Sequence, residues 1–318
     1  MRRRDFLYNL ALSGLAPCAI AVAAQPDKAK VLLDTDIGDD IDDAWALAFV
    51  ISYQRFTPLG VTITHGNTPA RAKIACKFLH VTNRDAIPVH VGRKTNDRVF
   101  PQYSWAEDFT TKQPARKAAA DFIVETVRRY PGEVTLLAVG PLQNIADALR
   151  KDPSLPKYVK RVVLMSGCVF GTSYSPDKPI REWNVYQSTA DAQLVYAAGF
   201  PLTIVPLDST THVRLSDAER KRVSDYASPL TYALECLYRL WLTNPADRMT
   251  LHDQLAVAEA AQPAVFFRRR ETLPLVVDEQ GYTRIDREHG KPVTVCLEPK
   301  RDQFMKYYLD ELTSQAAR

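Results

Sequence analysis

The sequence has little excess charge and no long hydrophobic run, and both absences limit what the chain can do. Its 41 basic and 37 acidic side chains leave a formal net charge of +4, to which Arg2, Arg3 and Arg4 contribute. The chain therefore lacks the concentrated positive charge with which proteins bind nucleic acid. Its most continuous apolar stretch, residues 10–24, is shorter than the roughly 20 residues of a membrane-spanning helix, which argues against a stable membrane anchor.

Cysteine is also scarce, with five in 318 residues. Cys76, Cys168, Cys236 and Cys296 are far apart and form neither a metal-binding motif nor a redox motif. We interpret them as small buried residues, although an oxidising compartment permits a disulfide. With 46% hydrophobic and 25% charged residues, the chain is globular and long enough for one large α/β domain or two small ones.

The first 24 residues have the pattern of an export signal. Residues 3–7 (RRDFL) are similar to a twin-arginine signal, and residues 22–24 (VAA) are the small residues that a signal peptidase needs. We therefore predict a signal peptide over residues 1–24, a single folded domain over residues 25–318, and a periplasmic location. Because the twin-arginine route carries folded proteins, we expect the chain to fold in the cytoplasm.

Six aspartates within ten residues lie between two apolar segments. Residues 31–33 (VLL) have the continuous aliphatic character of a strand that is buried on both faces of a parallel sheet. An apolar helix is predicted from Ala44, and the carboxylates of Asp42 and Asp43 before it can cap free N–H groups. The carboxylates therefore gather where a strand ends and a helix begins, which is the usual ligand crevice of an open α/β sheet.

Carboxylates at this density repel one another unless a cation neutralises them. The stretch contains no cysteine and no histidine, and its all-oxygen ligands favour Ca²⁺ or Mg²⁺ over Zn²⁺. An acidic loop that only caps the helix is one alternative. An EF-hand loop is another, but its pattern requires a glutamate at the twelfth position and a helix in place of the strand. The sequence thus predicts a site for a hard divalent cation.

Other predicted strands and helices alternate along the chain, which indicates a mostly parallel sheet flanked by helices. Further strands are predicted at residues 59–64, 87–91, 134–139, 161–165 and 203–207. Three short strands near the C-terminus, which we expect to pair antiparallel, are predicted at residues 273–277, 282–285 and 293–297. We predict an α/β fold with a Rossmann-like open sheet.

The acidic stretch resembles the N-terminal signature of the inosine-uridine-preferring nucleoside hydrolase family, an Asp-x-Asp-x-Gly followed by Asp-Asp-Ala-x-Ala-Leu. Asp34, Asp36 and Gly38 match the first half, and residues 42–47 match the second. Because the family also has a shorter form of the motif, residues 39–40 are a competing register for the aspartate pair. The apolar helix follows the later pair directly, which favours that register.

Later segments are similar to other motifs of the family, so the resemblance runs from about residue 30 to the C-terminus. The matching segments are residues 66–67 (GN), 140–144 (GPLQN), 182–184 (EWN), 207–210 (LDST) and 252–256 (HDQLA). Gln143 replaces the commoner threonine and Gln254 replaces a proline. In addition, Pro176 occupies a position where the family often has a sugar-contacting asparagine, so either Ser173 or Ser175 takes that contact or the sugar is held differently.

The resemblance implies that residues 25–318 form a catalytic domain with the nucleoside hydrolase fold. The implied reaction is Ca²⁺-dependent hydrolysis of the N-glycosidic bond of ribonucleosides to ribose and free base. In it, a metal-bound water attacks C1′ through an oxocarbenium-like transition state. The implied Ca²⁺ ligands are Asp36, Asp43, Asp253 and the carbonyl oxygen of Val139.

The same resemblance assigns the remaining roles. Asp36 is the expected general base, Asp42 orients the sugar and the water, and His252 protonates the leaving base because imidazole titrates near neutrality. The expected ribose-binding side chains are Asn67, Glu182 and Asn184. Asp34 is expected to brace the acidic loop from behind. A dimer or tetramer of the chain is also implied.

Two other functions compete with this one. A phosphohydrolase of the haloacid dehalogenase type would use Asp34 and Asp36 with Mg²⁺, but its later threonine or serine and its lysine are not found in a convincing arrangement. A non-catalytic periplasmic protein that binds nucleosides or ribose would keep the acidic site without the function of His252. The sequence does not indicate the preferred base, since the contacts to it come from loops such as residues 92–114.

Overall fold

The computed structural model describes residues 28–243 and 248–314, and the predicted signal peptide lies outside the described residues. Nine strands form one sheet. They are β1 (Ala29–Thr35), β2 (Phe56–Ile63), β3 (Val89–Val91), β4 (Thr135–Ala138), β5 (Arg161–Met165), β6 (Leu202–Val205), β7 (Phe267–Val277), β8 (Thr283–Ile285) and β9 (Lys291–Pro299).

The strand order is β3-β2-β1-β4-β5-β6-β9-β7-β8. The strands from β3 to β9 in this order are parallel, whereas β7 pairs antiparallel with both β9 and β8. The predicted α/β fold, with antiparallel strands near the C-terminus, is therefore confirmed. Several predicted boundaries shift, and the largest shift is in β7, which begins at Phe267 instead of residue 273.

The longer helices flank the sheet, and two one-turn helices follow β5 and β6. They are α1 (Asp42–Ser52), α2 (Thr68–Val81), α3 (Ala119–Arg129), α4 (Gln143–Lys151), α5 (Trp183–Tyr186), α6 (Thr189–Ala197), α7 (Leu207–Thr210), α8 (Asp217–Asp225), α9 (Pro229–Trp241), α10 (His252–Ala261) and α11 (Arg301–Leu312). Among the described residues, no helix has the length and hydropathy needed to span a bilayer.

The sheet has a hydrophobic core on each face. In β1, Val31 and Leu33 belong to the core that contains α1, α2, α10 and α11, whereas Leu32 belongs to the core that contains α3, α4 and α6. This alternation is the period of a strand that is buried on both faces. Every residue of α1 is buried, which explains why its sequence is apolar around the whole helix up to its acidic first turn.

The direction in which the chain winds reverses beside β1. From β1 the chain proceeds outward to β2 and β3, and it then returns to form β4 on the other side of β1. The carboxyl ends of β1 and β4 therefore flank the topological switch point, which is where ligands bind in open α/β sheets. Asp36 follows β1 and Val139 follows β4, so the fold places both at this crevice.

Candidate active site

Three buried carboxylates from two helices meet at this crevice. Asp42 and Asp43 lie in the first turn of α1 and Asp253 lies in the first turn of α10, and one carboxylate oxygen of each lies within 4.8 Å of the others. Gln254 holds the two helices together, because its Nε2 donates to the Asp42 carbonyl oxygen at 2.7 Å. The structure thus joins residues 42–43, and not the competing pair 39–40, to the distant Asp253.

Asp36 lies beside this cluster and has a basic partner of its own. Its Oδ2 is 3.6 Å from Nη2 of Arg71, a buried residue of α2. On the other side, Gly140 leaves room for the carboxylate, because a Cβ atom at residue 140 would lie 2.7 Å from Oδ1 of Asp36. The turn after β4 therefore needs glycine for a steric reason.

The clustered carboxylates are costly to ionise without a cation. Burial raises the pKa of Asp42, Asp43 and Asp253 well above the usual value, and repulsion from the neighbouring aspartates raises each of them further. Among the ion pairs of the described residues, none involves these three carboxylates, and the nearby guanidinium of Arg71 pairs with Asp36. A divalent cation fits the site, because it would neutralise these charges and because every donor is an oxygen atom.

The carbonyl oxygen of Val139 is held by Asn184. Nδ2 of Asn184 donates to this oxygen at 2.8 Å and to the Met165 carbonyl oxygen at 3.1 Å, so it connects the ends of β4 and β5. Glu182 precedes α5 and accepts hydrogen bonds from the backbone N–H groups of Gly167, Asn184 and Val185. Burial raises the pKa of Glu182 to about 7.

Asp34 lies behind the crevice. Its Oδ1 accepts hydrogen bonds from Thr62 Oγ1 at 2.5 Å and from Asn144 Nδ2 at 2.7 Å, so it links β1, β2 and α4. A cavity opens above the crevice and is lined by Asp36, Asp42, Asp43 and Asp253, but not by Asp34. Burial raises the pKa of Asp34 to about 7. This placement fits the bracing position that the sequence predicts for it.

His252 lines the cavity next to Asp253. Its Nδ1 lies 2.7 Å from Oγ1 of Thr210 at the end of α7. Burial, together with the positive charge of Arg214, lowers its pKa to about 4. The expectation that this ring titrates near neutrality is therefore not met, because the buried position disfavours the charged imidazolium.

Asn67 is the one expected ribose-binding residue that does not line the cavity. Its Oδ1 caps α2 by accepting from the N–H of Ala70 at 3.3 Å, and its Nδ2 donates to the Asp97 carbonyl oxygen at 3.2 Å. A direct contact with the ribose would require this side chain to leave both partners.

Pro176 lies in the loop between β5 and α5 and does not line the cavity. Ser173 Oγ donates to the Thr211 carbonyl oxygen and Ser175 Oγ donates to the Lys178 carbonyl oxygen, and neither serine lines the cavity. Tyr174 between them does line it. For either serine to contact the sugar, its side chain would have to leave its carbonyl partner.

The carboxylates form the floor of a cavity of about 720 Å³, which is large enough for a nucleoside. Aromatic and basic side chains also line this cavity. They are Phe100, Tyr174, Trp183, Trp241, Arg98 and Arg181. Tyr103, Trp105 and Phe109 do not line the cavity, because they pack against Lys73, Lys77 and His80 of α2 instead.

Gln102 and Arg71 are among the residues of the site that were not predicted from the sequence. Gln102 is buried in a one-turn 3₁₀ helix (Pro101–Trp105) before α3 and donates from Nε2 to the carbonyl oxygens of Asp39 and Asp40 at 2.9 and 3.1 Å. Arg71 is a single charged residue on the buried face of α2. One signal for Arg71 was available in the sequence. The 3.6-residue period of α2 places residue 71 on the buried face of the helix, where a charged side chain is unusual.

Comparison with known proteins agrees with this geometry. The family model described as inosine-uridine preferring nucleoside hydrolase matches residues 31–306. Uridine nucleosidase 1 of Arabidopsis thaliana is 30% identical over 272 residues, which cover 79% of each chain. The pyrimidine-specific ribonucleoside hydrolase RihA of Shewanella sp. (strain ANA-3) is 28% identical over 89% of this chain and 95% of its own.

A solved structure shares the fold. The plant nucleoside hydrolase PpNRh1 superposes with a TM-score of 0.79 and 23% identity, covering 90% of this chain and 99% of its own. The family match favours a nucleoside hydrolase over the two alternatives, a phosphohydrolase of the haloacid dehalogenase type and a non-catalytic binding protein. The chain belongs to the inosine-uridine preferring nucleoside hydrolase family and is an N-ribosyl hydrolase.

Proposed function

We propose that this protein hydrolyses ribonucleosides to ribose and free base with Ca²⁺ as its cofactor. The observation that carries the proposal is the meeting of Asp42, Asp43 and Asp253 within 4.8 Å at the switch point of the sheet. Asp36, Asp43, Asp253 and the carbonyl oxygen of Val139 would hold the ion. When bound, Ca²⁺ supplies positive charge that eases deprotonation of the attacking water and attracts the vicinal hydroxyls of a ribose.

Asp36 and Asp42 act on the water and the sugar. Asp36 accepts the proton of the attacking water, because its carboxylate lines the cavity and is held from behind by Arg71. Asp42 orients the water and the sugar from the first turn of α1. The loss of a proton makes the water nucleophilic enough to attack C1′ as the glycosidic bond lengthens.

Glu182 and Asn184 bind the ribose beside the Val139 carbonyl oxygen, to which Asn184 donates. Both line the cavity, and the backbone N–H groups around Glu182 fix the direction of its carboxylate. A negative or dipolar group near the ring stabilises the positive charge that develops on the sugar. Asn67 contributes by fixing the corner between β2 and α2, where it holds the Asp97 carbonyl oxygen.

His252 assists the leaving base as a neutral ring. Its lowered pKa leaves one proton on the imidazole at neutral pH. If Thr210 Oγ1 donates to Nδ1, that proton is on Nε2. A neutral N–H donor stabilises the negative charge that develops on the departing base by a hydrogen bond. The base then takes its proton from solvent, because a neutral imidazole is too weak an acid to give up its own.

The test is the release of reducing sugar by the purified protein. The substrates are inosine, uridine, adenosine, cytidine and 2′-deoxyinosine, each with and without a chelator. We expect release from the ribonucleosides that stops on chelation and returns with Ca²⁺, and little release from the deoxy compound. If folded, Ca²⁺-loaded protein releases no sugar from any of them, the proposed reaction is wrong.

We also propose that the protein is exported to the periplasm by the twin-arginine route and assembles as a dimer or tetramer. The first proposal is supported by residues 3–7 (RRDFL) and by the small residues at 22–24. Cell fractionation of the wild type and of a variant with Lys at residues 3 and 4 tests the route. Light scattering of the purified protein tests the assembly.

A further inference from the structure

Arg71 is the most deeply buried basic side chain among the described residues. It is 3% exposed, and no other arginine or lysine in residues 28–243 and 248–314 is buried. A buried guanidinium is costly unless it is paired, so its partners indicate why it is there. It comes from α2, one turn after the cap formed by Asn67.

The partners of Arg71 are all parts of the acidic site. Nη1 donates to the Ile37 carbonyl oxygen at 3.2 Å, and Nη2 lies 3.6 Å from Oδ2 of Asp36. The guanidinium lies 5.2 Å from the ring centre of Phe100, which covers it on the cavity side. Nε is buried without a hydrogen-bond partner. Arg71 thus fixes the direction of the loop that follows β1.

Arg71 acts from behind the carboxylate. It does not line the cavity, whereas Asp36 and Phe100 do. It therefore acts on the reaction through its neighbours and not by touching the ribonucleoside. Asp36 is the carboxylate with which it pairs, and its charge also reaches Asp43. Asp43 and Asp253, the other proposed carboxylate ligands of the ion, have no basic partner among the ion pairs of the described residues.

Two opposite effects on the site follow from this arrangement. The guanidinium holds Asp36 in one direction, which favours catalysis because small displacements of a reacting group are costly. Its positive charge also repels a cation bound to the same carboxylate, and at low dielectric this repulsion extends over several ångströms.

We propose that Arg71 is a positioning residue that aims Asp36 for the hydrolysis and that also weakens the binding of the divalent cation. This inference rests on the proposed function of the site. By this inference, Arg71 lowers the affinity of the site for Ca²⁺ and raises the rate of turnover.

The test compares R71M with R71K in two measurements. Titration calorimetry with Ca²⁺ alone gives the affinity in the absence of substrate, and steady-state hydrolysis of the best ribonucleoside gives kcat and KM. In R71M, which has no charge, we expect Ca²⁺ to bind about tenfold more tightly and kcat to fall about 100-fold. KM should change much less than kcat.

R71K separates charge from geometry. Lysine keeps the positive charge but not the planar fork that contacts Asp36 and Ile37 together. We therefore expect wild-type Ca²⁺ affinity and a reduced kcat. This variant also carries the test if thermal unfolding shows that R71M does not fold.

K73M is the matched control. Lys73 is on the same helix, but its Nζ donates to the Glu107 carbonyl oxygen, and it does not line the cavity. Its loss should change neither Ca²⁺ affinity nor kcat. If a general loss of charge from α2 were responsible, K73M would behave like R71M, and the proposal would be wrong.

The outcomes separate this inference from the proposed function. If the wild type binds Ca²⁺ and hydrolyses ribonucleosides while R71M does both equally well, the role of Arg71 is refuted and the function stands. If R71M only unfolds at a lower temperature, with unchanged Ca²⁺ affinity, Arg71 is merely structural. A wild type that neither binds Ca²⁺ nor hydrolyses ribonucleosides refutes the function itself.

Discussion

Nδ2 of Asn184 lies 2.8 Å from the carbonyl oxygen of Val139, and the two residues belong to segments 45 positions apart in the chain. This hydrogen bond orients a backbone oxygen that we propose as a ligand of the ion. The same amide also reaches the Met165 carbonyl oxygen at 3.1 Å. One side chain therefore sets the spacing between the carboxyl ends of two neighbouring strands.

Replacing Asn184 by leucine should weaken the binding of Ca²⁺. The Val139 carbonyl oxygen would lose the donor that fixes its direction, and partners that orient a metal ligand are typically worth about 10–100-fold in affinity or activity. We expect N184L to lose affinity in calorimetry with Ca²⁺ and to lose kcat/KM by a similar factor. An N184L protein with wild-type Ca²⁺ affinity would show that Asn184 acts on the substrate alone.

Glu182 should make the metal-free protein less stable as the pH rises. Burial raises its pKa from 4.5 to about 7 in the folded protein. Because the folded pKa is above the unfolded value, the protonated Glu182 makes its full contribution to the free energy of unfolding at pH values below the unfolded pKa. This contribution is lost as the pH rises through the folded pKa, and the loss is on the order of 3 kcal/mol.

Urea unfolding in the presence of a chelator, at about pH 5 and about pH 8, measures this loss. The E182Q variant, which cannot ionise, should show a smaller fall in the free energy of unfolding between the two values. E288Q removes an exposed carboxyl group and should match the wild type. Equal pH dependence in E182Q and in the wild type would mean that other groups cause the fall.

His252 should matter most for substrates whose base is a poor leaving group. H252L removes the hydrogen-bond donor that faces the base, so turnover of inosine or uridine should fall by about 100-fold or more. Turnover of p-nitrophenyl riboside, whose leaving group needs no proton, should change by less than about threefold. Steady-state assays of both substrates give the ratio. An equal loss on both substrates would assign His252 to the metal site instead.

Gly140 should tolerate no side chain. The Cβ of an alanine would lie 2.7 Å from Oδ1 of Asp36 and 2.9 Å from its backbone nitrogen, so the carboxylate must move. We expect kcat of G140A to fall about 100-fold. G132A is the control, because nothing lies within 4 Å of its Cβ. Its positive φ makes alanine costly for stability, but kcat should not change.

The acidic site was largely predictable because its residues are consecutive and unusual. The strand at residues 31–33 and the helix after Asp43 fix the positions of six aspartates at the end of a central strand. The choice between residues 39–40 and 42–43 needed the structure, since it depends on Asp253, which lies far away in the chain. Gln102 was not predictable, because it lies in a short 3₁₀ helix whose surrounding sequence has no period from which to infer a contact.

The start of β7 shows why the local hydrophobic pattern did not predict the full length of this strand, which begins at Phe267 instead of residue 273. Arg268, Arg269 and Arg270 interrupt the hydrophobic pattern, yet this segment pairs with β9, where Arg269 is opposite Leu297 and Arg270 is opposite Cys296. All three arginines are exposed. Backbone pairing with a neighbouring strand outweighs the low strand propensity of these residues, and such pairing is not visible in the segment itself.

The contact between α1 and α10 determines when the ion can act during folding. Asp42 and Asp253 are 211 positions apart, so the site is assembled only after α1 and α10, from distant parts of the chain, come together. Contacts between such distant segments usually form late. Calcium should therefore prolong the lifetime of the native state by slowing its unfolding, while the rate at which new chains reach that state stays nearly constant.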